Sequence, residues 1–287
     1  MLTVKPLSPA LGAEITGVDL NQTLDDATVH EIEAALDEHL VVVLPGQTLT
    51  PRAFDDFARR WGRPEPHVID QFHHPEAADI LILSNVQYGG KPVGLEDAGS
   101  YFHTDYSYLD IPARCTMLYA IQMPPSGINL GTTFANQRQA YDDLDSATKN
   151  RIDGLIGRHH YGNRDNLDET TRTVASPLNK DQKAKMNWVR HPIVRVHPRT
   201  GRKTLYSVSG SSFGIENIAD PEAIKLLDRL KVHATQPKYL YQHPYRVGDV
   251  VIWDNCCLLH QAPLPDRSTA RTLWRITVKD KGPTLPN

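Results

Sequence analysis

The sequence predicts a mainly β fold, a barrel or jelly roll with flanking helices. Three observations predict it: many short apolar runs bounded by Pro and Gly, helical periodicity near the start and between strands, and no regular strand–helix–strand alternation. The 287 residues read as one domain, 1–287, with no linker, repeat or low-complexity tract.

Leu2 to Lys5 and Ala13 to Val18 read as short strands. Thr23 is a cap with Asp26 at capping-box spacing, and Val29, Ile32, Leu36 and Leu40 follow at helical spacing. Val41 to Leu44 is a strand ending at Pro45-Gly46. Thr50-Pro51 opens a helix whose buried stripe is Phe54, Phe57 and Trp61, with Gly62 as its stop. Ile80 to Leu83 is a buried strand, and 87–100 is a loop leading into His103. Thr116 to Met123 and Thr132 to Ala135 are strands, and Tyr141 to Ile156 is helical. Residues 162–185, polar and without a clean period, read as loop or lid. Ile193 to Val196 pairs with Thr204 to Val208 around Pro198-Arg199-Thr200-Gly201. Asp220-Pro221 starts a helix carrying Ile224, Leu227 and Leu230; Val250 to Trp253 and Leu273 to Val278 are late strands.

With 40% hydrophobic and 23% charged residues the chain can bury a large core. A net charge of −3 lacks the basic footprint of nucleic-acid or anionic-membrane binding. Cys115, Cys256 and Cys257 make no disulfide framework and read as reduced, buried thiols. The start of the chain has no long apolar run, and no stretch is apolar enough to span a membrane; a soluble, cytoplasmic protein is expected.

The chemistry concentrates at His103-Thr104-Asp105. On a strand, residues two apart share a face, so this His and Asp can reach one ion. His260 follows much later, after Trp253-Asp254-Asn255, and the fold must bring it in. Two histidines and one carboxylate on one face of a metal form the facial triad of non-heme Fe(II) oxygenases. Taken alone, His-x-Asp also arises by chance. The ordered set adds weight: His103-x-Asp105, Gly131-Thr132, Trp253-Asp254-Asn255, His260, then Arg271 and Arg275.

In this set the chain resembles the Fe(II)/2-oxoglutarate-dependent dioxygenases that include taurine and 2,4-dichlorophenoxyacetate dioxygenases. The likeness covers nearly the whole length, through Gly12 to Leu20, Pro45-Gly46-Gln47, Phe57 to Gly62, His103-Thr104-Asp105, Pro124-Pro125-Ser126-Gly127, Ala140-Tyr141, His197 to Gly201 and Gly248 to His260. It implies a double-stranded β-helix with His103, Asp105 and His260 holding Fe(II). It also implies open positions for 2-oxoglutarate and O2. By resemblance Arg271 and Thr132 bind the far carboxylate of 2-oxoglutarate, a role that suits the bidentate guanidinium. Thr132 is preferred to Thr133 because the family threonine stands two before an aromatic, here Phe134. Arg275 matches the arginine that grips an acidic substrate group, and residues four apart on a strand share a face. His67 matches a substrate-contacting histidine, and Tyr101 lies beside the first ligand. Homodimers or homotetramers are the family habit.

Departures from the family pattern bear on the substrate. Gly99 and Phe102 stand where relatives have Asn and Trp, Asp70 replaces a pocket aromatic, and Ser209-Gly210-Ser211-Ser212 stands where taurine dioxygenase presents a Phe. The run Pro112 to Ala120 and the stretch Trp253 to His260 look closer to the phenoxyacetate branch. The expected substrate is a small carboxylate such as an aryloxyalkanoate, hydroxylated and in some cases thereby cleaved. The alternatives are a sulfonate or sulfate-ester dioxygenase of the same family, a zinc hydrolase using the same triad, and a non-catalytic barrel that holds a small acid.

Overall fold

A computed structural model describes residues 2–96, 99–125, 131–163, 178–263, 268–282 and 284. Its strands form a mainly β architecture of two facing sheets. The larger sheet runs in the order Thr3–Pro6, Ala13–Thr16, Val41–Leu44, Val250–Asp254, Ala113–Gln122, Thr272–Lys279, Ala77–Ser84, His73–His74. The smaller one places Thr132–Asn136 between Leu240–His243 and Leu258–Gln261. All strand pairs in these sheets are antiparallel except Ala13–Thr16 with Val41–Leu44.

Strand alternation sorts the side chains of the larger sheet between two cores. Val42, Leu44, Met117, Tyr119, Val250, Ile252, Ile276 and Val278 face one way, onto Ile32, Leu36, Phe54 and Phe57 of the two N-terminal helices and onto Trp61 just past the second. Their neighbours Val41, Val43, Leu118, Val251, Trp253 and Leu273 face inward, toward Phe134 and Leu258 of the smaller sheet. The outer face of the smaller sheet is covered by the helix Asp220–Ala234 through Leu226, Leu227 and Leu230. The long apolar runs of the sequence are thus strands covered on both faces. No helix among the described residues is long and apolar enough to cross a membrane.

Local chemistry corrects several expected boundaries. The first helix, Asp26–His39, is capped by Asp25, whose carboxylate accepts from Thr28 N–H at 2.7 Å; Thr23 lies outside it. The second, Pro51–Arg59, begins at Thr50 as its proline requires. The helix expected over Tyr141 to Ile156 is two helices, Gln137–Asp142 and Ser146–Ile152. Asp145 breaks it by leaving the helical conformation to cap Thr148 N–H at 2.8 Å, and Ile156 already belongs to a strand, Ile156–His159. In the helix Asp220–Ala234, Leu226 is buried and Ile224 only half-buried.

The loop expected over 87–100 contains a small hairpin, Gln87–Tyr88 with Lys91–Pro92, and Leu95 bridges to Leu83. Residues 97–98 of that loop, and 164–177 of the expected lid, lie outside the described residues; the lid's far end holds a helix, Lys180–Ala184. Val194–Val196 does pair with Lys203–Leu205.

Candidate active site

One cavity between the sheets is lined by His67, Tyr101, His103, Asp105, Thr132, His260, Arg271 and Arg275. Every residue singled out for the site in the sequence therefore meets the same space. Arg271 precedes the last strand of the larger sheet and Arg275 lies within it, two inward positions apart, which is how residues four apart come to share a wall.

The route by which His103 and Asp105 meet differs from the strand expected. His103 forms a single bridge with His260: each backbone N–H donates to the other's carbonyl, at 3.0 and 2.9 Å. The chain then turns at Asp105, with Tyr106 in the left-handed region at φ 53°. A non-glycine residue there carries strain of about 1–3 kcal/mol, held by its surroundings. The Tyr106 hydroxyl donates to Glu65 O at 3.2 Å and its ring lies under the Arg275 guanidinium, 5.3 Å away.

His103 Nε2 and His260 Nε2 stand 3.5 and 3.6 Å from the two oxygens of Asp105, and all three residues offer ligand atoms within 4.8 Å of one another. His103 Nδ1 faces Tyr101 O at 2.8 Å, which puts its proton there and leaves Nε2 free to ligate. Burial, with the neighbouring His103, pulls the His260 pKa well below its ordinary value, so its imidazole is neutral, the form a metal needs. Burial would raise the Asp105 pKa, but the Arg275 guanidinium beside it holds it well below the usual carboxylate range. Two imidazole nitrogens and one carboxylate suit Fe(II) and leave positions open. The residues present fit that ion.

Arg275 Nη2 pairs with Asp105 Oδ1 at 2.7 Å. Arg271 is different: it is buried, its Nε finds no partner, and among the described residues no acidic side chain pairs with it. Burial lowers its pKa, against the opposing pull of the Tyr245 hydroxyl beside it. A buried guanidinium calls for an anion, and the far carboxylate of a bound dicarboxylate would supply one. Thr132, buried in the same wall, meets Tyr245 hydroxyl to hydroxyl at 3.1 Å. Thr133 is half-buried and does not line the cavity.

His67 Nδ1 accepts from Ile69 N–H at 3.1 Å. Its ring is half-buried by surface but hemmed in by protein, and burial with the Arg275 charge pushes its pKa down to about 3. Asp70 does not reach the cavity; it is exposed and takes a hydrogen bond from Gln182 Nε2 at 3.3 Å, while its neighbour Ile69 lines the wall. Of the serine run, Ser211 reaches the lining. Leu83, Leu95, Leu118, Tyr106, Tyr108 and Tyr161 give the wall an apolar and aromatic part, and Glu96, Ser100, Thr104 and Asn163 add polar groups.

Several contributing residues were given no role in the sequence, although Asn255 stood in the Trp253-Asp254-Asn255 motif. Thr116 donates to Asp105 Oδ2 at 2.6 Å, and Asn255 Nδ2 donates to Thr116 at 2.9 Å. Thr116 had one usable signal, a lone hydroxyl at an inward position of an otherwise apolar strand. Tyr106, Tyr108, Tyr161 and Tyr245 had none, since their place depends on loops and on strand Leu240–His243.

A second group of donors, His197, Asp254, Cys256 and Cys257, is also close enough to share an ion. Its hydrogen bonds argue against one. Thr200 N–H donates to His197 Nδ1 at 3.1 Å, so the imidazole proton sits on Nε2, 2.7 Å from Asp254 Oδ2, and no lone pair remains there for a metal. Asp254 Oδ1 also accepts Cys256 N–H at 2.7 Å, so the pair stiffens the turn between two strands. All three cysteines are free and buried.

Comparison with known proteins agrees with this geometry. The chain is 35% identical to the alpha-ketoglutarate-dependent 2,4-dichlorophenoxyacetate dioxygenase of Cupriavidus pinatubonensis, covering 97% of this chain and 98% of that protein. It is 30% identical to pentalenolactone F synthase of Streptomyces arenae, over 96% and 94% of the two chains. Among solved structures, AAD-2 in complex with Mn(II) and N-oxalylglycine superposes with a TM-score of 0.81 at 28% identity, covering 99% of this chain and 100% of that one. The fold is therefore that of the jelly-roll dioxygenases. Since the family model for taurine catabolism dioxygenases, TauD and TfdA, matches residues 3–277, the chain belongs to the TauD/TfdA family of alpha-ketoglutarate-dependent dioxygenases.

Proposed function

We propose that the protein hydroxylates a small aryloxyalkanoate or a similar carboxylate with an apolar body, using His103, Asp105 and His260 to hold Fe(II). When bound, Fe(II) with 2-oxoglutarate and O2 supplies the oxidation of an unactivated C–H bond, with succinate and CO2 released. The observation that supports this reading most is the cavity itself, in which His103, His260 and Asp105 adjoin a buried arginine with no acidic partner among the described residues. A hydrolytic zinc site would leave Arg271 and Thr132 without an anion to hold.

In this reading the chain's residues position rather than react. Arg271 and Thr132 hold the far end of 2-oxoglutarate. Arg275 takes the substrate's acidic group, with His67 and Tyr101 beside it. Leu83, Leu95, Ile69 and the tyrosines Tyr106, Tyr108 and Tyr161 surround an apolar or aromatic body and exclude water. The relative's action on 2,4-dichlorophenoxyacetate supports the same substrate class. We read the enzyme as cytoplasmic and as a homodimer or homotetramer, by family habit; light scattering fixes the assembly.

The test is succinate release across a panel of aryloxyacids, sulfonates, sulfate esters and other small carboxylates, with 2-oxoglutarate and Fe(II) supplied. Aryloxyacids should give the highest kcat/KM. A preference for sulfonates or sulfate esters would move the substrate to the other branch of the family. No succinate with any substrate, or succinate that survives loss of His103 and Asp105, would remove the catalytic reading.

A further inference from the structure

Asp105 is gripped from behind by a buried relay of hydrogen bonds. Asn255 Oδ1 accepts from Trp253 Nε1 at 3.1 Å and from the backbone N–H of Asp105 at 3.3 Å. Two donors on one oxygen fix which way the amide faces, because turning it over would aim NH2 at both. Asn255 Nδ2 must then donate to Thr116 Oγ1, at 2.9 Å, and Thr277 Oγ1 lies 3.3 Å from the same oxygen. With Asn255 donating to it, the Thr116 hydroxyl is free to give its single hydrogen to Asp105 Oδ2, at 2.6 Å. Thr116 and Asn255 are fully buried, and Thr277, Trp253 and Asp105 nearly so.

The turn that presents Asn255 is itself braced. Asp254 binds His197 and caps Cys256 N–H, while Trp253 packs on the His260 ring at 4.7 Å. Each residue of Trp253-Asp254-Asn255 thus has a distinct task, and only Asn255 reaches the carboxylate side of the triad.

We infer that Thr116 and Asn255 are positioning residues that fix the orientation of the Asp105 carboxylate toward the metal, holding Oδ2 while Arg275 holds Oδ1. This rests on the reading that His103, Asp105 and His260 hold the ion. A carboxylate free to swing would bind through both oxygens and take one of the positions that 2-oxoglutarate and O2 require.

Thr116→Val removes the hydroxyl and keeps the shape; Thr116→Ser restores the hydroxyl. Mn(II) affinity of the apoprotein and the visible band of the anaerobic Fe(II)–2-oxoglutarate complex are measured for both, with wild type and His103→Ala. Thr116→Val should bind Mn(II) about ten-fold or more weakly and shift the band, and Thr116→Ser should return both toward wild type. Thermal unfolding of the apoprotein separates a loss of stability from a loss of metal. If Thr116→Val binds Mn(II) as wild type does with an unshifted band, the positioning role is overturned while the triad stands. If wild type itself binds no metal, the triad reading fails first and the inference with it. Should Thr116→Val not fold, Asn255→Ser breaks the relay at its other end and is judged by the same two readouts.

Discussion

Arg271 and Arg275 face one cavity from inward positions four residues apart, and among the described residues only Arg275 meets an acid, Asp105, at 2.7 Å. The two cations are therefore unequal. One helps hold the carboxylate of the triad ionised, and the other is buried with no acidic partner among the described residues. Their substitutions should separate.

Arg271→Ala should raise the KM for 2-oxoglutarate with little change in affinity for the substrate. Losing one partner of a buried charge pair costs about 2 kcal/mol or more, which is roughly thirty-fold or more in KM. Arg271→Lys should recover only part of this, since an ammonium cannot match a carboxylate with two parallel bonds. Steady-state succinate formation against 2-oxoglutarate concentration decides it. An unchanged KM would place the cosubstrate's far carboxylate elsewhere.

Arg275→Gln should act on the substrate. The KM for an aryloxyacid is expected to rise about ten-fold or more, while 2-oxoglutarate is still consumed without product, because the cosubstrate clamp is intact. The same change removes the main cation that depresses Asp105, so metal affinity should weaken near the acid end of the working pH range. Coupled product and succinate assays distinguish this from Arg271→Ala: a proportional fall in both products would mean the two arginines are not divided in this way.

Much of this was legible in the sequence because strand periodicity is simple. Val41 to Leu44, Val250 to Trp253 and Leu273 to Val278 read as strands, and the same alternation put Arg271 and Arg275 on one wall. What the sequence could not carry was closure across long separations. His103 meets His260 through a single backbone bridge, and Asp105 meets Asn255 and Thr116 through side-chain hydrogen bonds, none of which has a period. The helix ends failed for a different reason. Thr23 and Asp25 are both competent caps, and the helix starts after Asp25, whose carboxylate accepts from Thr28 N–H. Asp70 and Ile69 likewise differ by one position, enough to turn one side chain out and the other in.

Gly99→Ala should damage the site without touching a ligand. Gly99 has φ +82°, and a Cβ built there would run into Cε1 of His103; at Gly210, φ +68°, a Cβ would lie 2.9 Å from His103 Cβ. The first ligand is thus cradled between two residues that have no room for a side chain. Gly99→Ala should displace the imidazole and weaken Mn(II) binding, with little effect on the unfolding of the apoprotein beyond about 1 kcal/mol for the backbone conformation. Equal metal affinity in wild type and variant would show that the cradle yields and that His103 keeps its place.

Acid should unfold the protein partly through Glu33, far from the site. This buried carboxylate on the first helix accepts a hydrogen bond from Arg114 and pairs with Arg199 Nη1 at 3.3 Å. Burial would raise its pKa, but the Arg114 hydrogen bond and charge, with help from Arg199, outweigh it and bring the folded value below the ordinary 4.5. A depressed folded pKa means the ionised form favours the fold. Its contribution is complete above the unfolded value of about 4.3 and is lost as pH falls through the lower folded value. Glu33→Gln at neutral pH leaves Arg114 without its acid and should destabilise by about 3 kcal/mol, the lower end of what breaking a buried pair costs, because Arg114 also donates to Trp61 O. Below pH 4 the difference between the two proteins should shrink, since protonation already removes the charge in wild type. Thermal melts of both from pH 7 to pH 3 test it, and parallel curves throughout that range would show that Glu33 ionises alike in the folded and unfolded chain.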